Sequence, residues 1–109
     1  MARQARLQQL QAELTRGLAR VREHQDWHAL AQIEAALARE LPALARGGPW
    51  TGAERAAWAG LCETHARACA ICEDAMSVLQ ERLQTLSEHR EGWLAYAMAN
   101  PETPPEAQP

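Results

Sequence analysis

The sequence predicts an all-α protein: an antiparallel helical bundle or hairpin of three to four helices, with one long third helix. Three observations predict it. The 109 residues are 47% hydrophobic but rich in alanine, poor in β-branched residues and without phenylalanine, which favours helix nearly everywhere. Apolar residues recur at steps of three and four, and no stretch alternates as a strand does. Strong breakers are confined to a few places, chiefly Gly47-Gly48-Pro49 and the tail from Pro101. The length suits one domain with a modest core, placed over residues 1–99 and followed by a disordered Pro/Glu tail at 100–109.

The first helix runs from Ala2 to about Glu23, with Leu7, Leu10, Leu14, Leu18 and Val21 as its core stripe. Gly17 sits inside it and weakens it by up to about 1 kcal/mol relative to alanine. Arg3 and Arg6 read as a solvated, frayed end, a basic docking arm being the alternative. His24-Gln25-Asp26 is a short polar link of the kind that joins antiparallel neighbours, and Asp26 caps the second helix. His24 and His28 read as surface residues.

The second helix spans Trp27 to about Arg46, on a stripe of Trp27, Leu30, Ile33, Leu37, Leu41 and Leu44. Pro42 predicts a kink or an end near Leu41. Arg46-Gly47-Gly48-Pro49-Trp50 is the clearest loop, with Gly47 as a C-cap and Trp50 covering the loop end of the bundle.

Thr51 and Glu54 then form a capping box opening the long third helix, which extends to Ala97. Counted in heptads, its apolar side comprises Trp58, His65, Cys72, Leu79, Leu86 and Trp93 in one row. The other row is Cys62, Cys69, Met76, Leu83, Arg90 and Ala97. The polar run Ser87-Glu88-His89-Arg90-Glu91-Gly92, with Arg90 on the seam, leaves two readings open: the third helix runs through it, or it breaks there and a short fourth helix follows from about Glu91 to Ala99, stopping at Asn100-Pro101.

Lengths raise the functional question. Two helices of about 20 residues reach roughly 30 Å and cover half of the third. The uncovered half carries Met76, Leu79, Leu83 and Leu86, and apolar surface of that kind marks an interface. Three occupants fit: the chain's own C-terminal segment folded back, a second copy as a homodimer, or a partner's helix lying in the groove. Met76, Leu79, Leu83 and Leu86 are the expected groove contacts, with Trp93 and Tyr96 as the cover or a second contact.

Composition excludes several classes. Net charge is −3, divided into about +2 over residues 1–46 and −5 beyond, too weak a basic face for direct nucleic-acid binding. No apolar run of about 18 residues predicts membrane insertion, and Met1 to Leu10 lacks a signal peptide's apolar core, which points to the cytoplasm and to reduced thiols. Cys62, His65, Cys69 and Cys72 superficially resemble a metal site. One straight helix, however, brings only an i, i+3 or i, i+4 pair to a single ion, so neither metal nor cofactor is expected. Cys69 and Cys72 lie mid-helix, unlike a redox motif at a helix start. Glu73 and Asp74 point to different parts of the helix surface, no catalytic set is recognisable, and no enzyme is expected.

Three stretches carry a family resemblance: Asp26-Trp27-His28-Ala29-Leu30-Ala31-Gln32-Ile33-Glu34, Leu79-Gln80-Glu81-Arg82-Leu83-Gln84-Thr85-Leu86, and Ala95-Tyr96 before a Pro-containing tail. With the order and lengths of the helices, the chain resembles the small helical flagellar export chaperones of the FliT type over roughly residues 7–100. It departs from them in a shorter segment between Leu86 and Tyr96 and in helices richer in Ala and Cys. The resemblance implies a cytoplasmic chaperone of flagellar type III export. Such a protein holds the filament-cap protein, delivers it to the export ATPase complex and, in some members, binds the flagellar master transcription regulator. It also implies a C-terminal helix able to cover the binding surface.

Overall fold

A computed structural model of the chain describes residues 2–100. Among these residues there are three α-helices and no strand: α1 (Ala2–His24), α2 (Trp27–Ala45) and α3 (Gly52–Ala99). The chain divides into two units, Met1–Ala70 and Ile71–Pro109. Of the tail expected at 100–109, residues 101–109 lie outside the described residues.

In the first unit, α1 is the central element. Leu7, Leu10, Leu14, Leu18 and Val21 are all buried, so the stripe read from the sequence is the core. From α2 only Leu30 and Leu37 are buried, and Trp27 remains more than one-third exposed. The two helices run antiparallel: Arg6 near the start of α1 pairs with Glu40 near the end of α2, while Gly17 lies against Ile33 and Leu30. A Cβ on Gly17 would sit 2.5 Å from Ile33 Cδ1, so this glycine makes room for the α2 side chain.

The link between them turns on Gln25, whose φ of 55° places a non-glycine residue in the left-handed region. Asp26 then caps α2, its Oδ1 accepting from the Ala29 amide at 3.1 Å. Pro42 neither ends nor divides α2, which continues to Ala45. Ala38, whose carbonyl loses a donor to the proline, is solvent-exposed, and only one turn remains beyond.

The α2–α3 loop is held by the residue expected to fray. Arg3 donates to Leu44 O (3.0 Å), Gly48 O (3.1 Å) and Pro49 O (2.8 Å), pairs with Glu54, and lies 4.7 Å over the Trp50 ring. Gly47 leaves space for it, since a Cβ there would stand 2.9 Å from Arg3 Nη1. Arg6 is likewise engaged, by Glu40. A solvated end is therefore the wrong description: the loop offers unpaired carbonyls, and guanidinium donors fill them.

The capping box forms as expected. Thr51 N–H donates to Glu54 Oε1 (2.8 Å) and Glu54 N–H to Thr51 Oγ1 (3.1 Å). The register after it differs from the heptad rows. Within the first unit the buried side of α3 is Glu54, Ala57, Leu61, Thr64 and Ala68, not Trp58, Cys62, His65 and Cys69. A straight α-helix slips about 20° per heptad, so four sevens counted back from Leu86 to Trp58 miss by nearly one residue. Small side chains hide the true row. Thr64 is fully buried with its hydroxyl satisfied, donating to Gly60 O (3.1 Å) and accepting from Gln11 Nε2 (3.3 Å).

In the second unit α3 continues without a break through Ser87–Gly92, so among the described residues there is no fourth helix. Glu and Arg are good helix formers, and the polarity of a seam position weakens packing, not the helix itself. Ties at i, i+4 cross the stretch: Gln84 to Glu88 (3.3 Å) and Trp93 Nε1–H to His89 Nε2 (2.9 Å). Asn100 closes it, its amide donating to Tyr96 O.

Candidate functional site

Two features stand out, one in each unit. In the second unit, Met76, Leu79, Leu83 and Leu86 succeed one another at steps of three and four along α3. They are 55%, 50%, 58% and 64% exposed, so this apolar row is an open side of the helix and not part of a core. The face is a convex helix side, not a groove: among the described residues no second element of that unit flanks it. Val78, Leu94 and Met98 add exposed apolar area outside the row.

Trp93 and Tyr96 lie further along the same helix. Trp93 is half-buried between His89 and Tyr96, its ring centroid 6.4 Å from the first and 6.2 Å from the second, both edge-to-face. Tyr96 is 54% exposed. Because the helix is unbroken from Ile71 to Ala99, these two rings cannot fold back over Met76–Leu86. In this structure they stand beyond the row on the same helix and do not cover it.

In the first unit, α2 and α3 leave an open groove lined by Leu37, Leu41, Trp58, Leu61, Cys62 and His65. Trp58 packs edge-on against Trp50 at 5.8 Å. At the polar side of the groove, Glu34 of α2 reaches His65 of α3, Oε2 to Nε2 at 3.1 Å. The other ring nitrogen, Nδ1, faces Cys69 Sγ at 3.7 Å, one turn further along α3. Sequence spacing sets His65 among the cysteines alone and offers no partner for it. Glu34 is beyond the reach of spacing because it lies 31 residues away on another helix.

The Glu34–His65–Cys69 line is not a metal site. The carboxylate and the sulfur meet opposite edges of the imidazole and cannot share one ion, and no group of three ligands able to hold a metal occurs among the described residues. No helix among them is long and apolar enough to cross a membrane.

The strongest electrostatics lie at the α1–α3 end. The Glu54 carboxyl is drawn from its ordinary 4.5 down to about 2, first by the Arg3 guanidinium and then by the Thr51 amide. Asp26 and Glu40 are lowered too, Asp26 mainly by the Ala29 amide and Glu40 mainly by Arg6. These pairs lie at a helix cap and at helix–helix contacts. Compared with known protein families, curated proteins and solved structures, the chain has no significant match in any of the three.

Proposed function

We propose that this chain is a non-catalytic binding protein. Residues 2–70 form an antiparallel three-helix bundle that anchors α3, and α3 offers its second half to a partner. The observation that supports it is the row Met76, Leu79, Leu83 and Leu86, each at least half exposed, on a helix that nothing else described in its unit covers. The partner that fits is an amphipathic helix laying its apolar side on that row. Together with the likeness to flagellar export chaperones of the FliT type, the reading is a cytoplasmic chaperone for the filament-cap protein. Its further contacts would be with the export ATPase complex and a flagellar transcription regulator.

Titration of purified filament-cap protein into the full chain tests it. Binding that Leu83→Asp abolishes, with helicity and melting unchanged, supports the reading. No binding by the unaltered chain overturns the client assignment. A second chain, cut after Arg90, separates the two roles given to Trp93 and Tyr96. Weaker binding makes them contacts, whereas tighter binding would restore the covering role.

The alternative is self-association through the same face. One observation favours it. When two copies run antiparallel with Leu79 against Leu83, Met76 of each falls opposite Leu86 of the other, so the four residues of the row close on themselves. Sedimentation at micromolar concentration decides: a dimer that Leu83→Asp splits supports the pair, and a monomer removes it.

A further inference from the structure

We propose that Cys69 is a nucleophilic thiol served by His65, and that it is this chain's site of modification by small hydroperoxides. The inference rests on the order of the three groups and not on the partner reading above. A carboxylate only accepts hydrogen bonds, so at 3.1 Å Glu34 Oε2 requires a proton on His65 Nε2. In its neutral form the ring then presents a lone pair at Nδ1, and that nitrogen faces Cys69 Sγ at 3.7 Å. Orienting acid, base and nucleophile therefore stand in line, with the tautomer set by the group behind the base. Glu34 and His65 come from different helices of the first unit, and Cys69 is exposed to solvent.

The surroundings select the class of co-reactant. Cys69 lies in the middle of α3, where backbone amides are committed to the helix, so none is available to hold the oxyanion of an acyl transfer. A hydroperoxide needs no such hole. It needs an electron pair on sulfur and a proton for the departing oxygen. Cys69 passes its proton to His65 Nδ1, and the sulfur attacks one peroxide oxygen. The S–O bond forms as the O–O bond breaks, and the leaving hydroxide takes the proton back from Nδ1 as water. Sulfur is oxidised by two electrons to the sulfenic acid, and the peroxide is reduced by the same two. Exposure lets a small peroxide reach the sulfur and a cellular thiol reverse the change.

Cys62 supplies the internal control, being an exposed thiol on the same helix. The full chain is treated with hydrogen peroxide in the presence of dimedone, and adducts are mapped by fragment mass spectra that separate Cys62, Cys69 and Cys72. Cys69 is expected to be trapped about tenfold faster than Cys62, a modest share of what a positioned acid–base group contributes. His65→Asn should bring Cys69 to the Cys62 rate and leave Cys62 unchanged. His65 is only half-buried, so the variant keeps the fold, which circular dichroism checks. Glu34→Gln, which frees the tautomer, should fall between the two. Equal trapping of Cys62 and Cys69 in the unaltered chain, dominant trapping at Cys72, or a His65→Asn variant with the original ratio would each overturn the proposal.

Discussion

Arg3 Nε and Glu54 Oε2 meet at 2.6 Å across 51 positions of sequence, and the two side chains are nearly enclosed, 12% and 7% exposed. The pair joins the first turn of α1 to the first turn of α3. Glu54 at the same time takes the Thr51 amide, while Arg3 spends its remaining donors on carbonyls of the α2–α3 loop. One contact thereby fixes a cap, a loop and a helix–helix end together.

That contact sets an acid limit on stability. Glu54 is ordinarily half-protonated at 4.5 and in the fold only at about 2. Its depressed value means the contribution is fully present above about pH 4.5 and is lost as pH falls toward 2. Asp26 and Glu40, both also lowered, add slope in the same direction. Urea midpoints measured from pH 6 to pH 2 should decline through that window. Glu54→Gln should be less stable at pH 6 and show a shallower decline. An unchanged slope in the variant would mean that Glu54 is not the group being titrated.

Leucines at equal helical spacing should divide sharply by unit. Leu14 is wholly buried, and Leu14→Ala should cost about 2–5 kcal/mol by lost burial and the cavity left behind. Leu83 is 58% exposed, and Leu83→Ala should cost no more than about 0.5 kcal/mol. Chemical denaturation of the two variants beside the parent measures both. Similar losses would mean that the α3 face is already covered in solution, as in a dimer.

How much of the fold and of the candidate site is legible in the sequence depends on range. The α1 stripe from Leu7 to Val21, the Asp26 cap and the Thr51–Glu54 box are signals within one or two turns, and each is realised. The exposed set Met76, Leu79, Leu83 and Leu86 is legible too, because its large side chains mark their own face. The α3 register before residue 70 is not, since Ala57, Thr64 and Ala68 are small and Trp58 is conspicuous. Arg3 and the Glu34–His65–Cys69 line require knowing which helices touch, and no local spacing encodes that. At Ser87–Gly92 the sequence leaves a break and a continuous helix both open, because a polar seam position bears on packing and not on helix strength, and the continuous helix is the one that forms.

The tight link between α1 and α2 gives the last expectation. Gln25 holds φ at 55°, where a side chain crowds the following carbonyl. Its amide still donates to Val21 O at 2.9 Å, so the conformation is fixed by the helix end and by the Asp26 cap beyond it, not by the glutamine. Gln25 itself is exposed and brings no burial that would be lost. Gln25→Gly therefore relieves the strain at the expense of a more flexible unfolded chain, and the net gain should be about 0.5–1 kcal/mol. Gln25→Val, branched at Cβ, should move stability the other way by at least as much. Thermal melts of the two variants read the signs directly. If glycine gives no gain and valine no loss, the link does not hold its left-handed turn in solution, and α1 and α2 must be joined by a looser connection than the one Asp26 now closes.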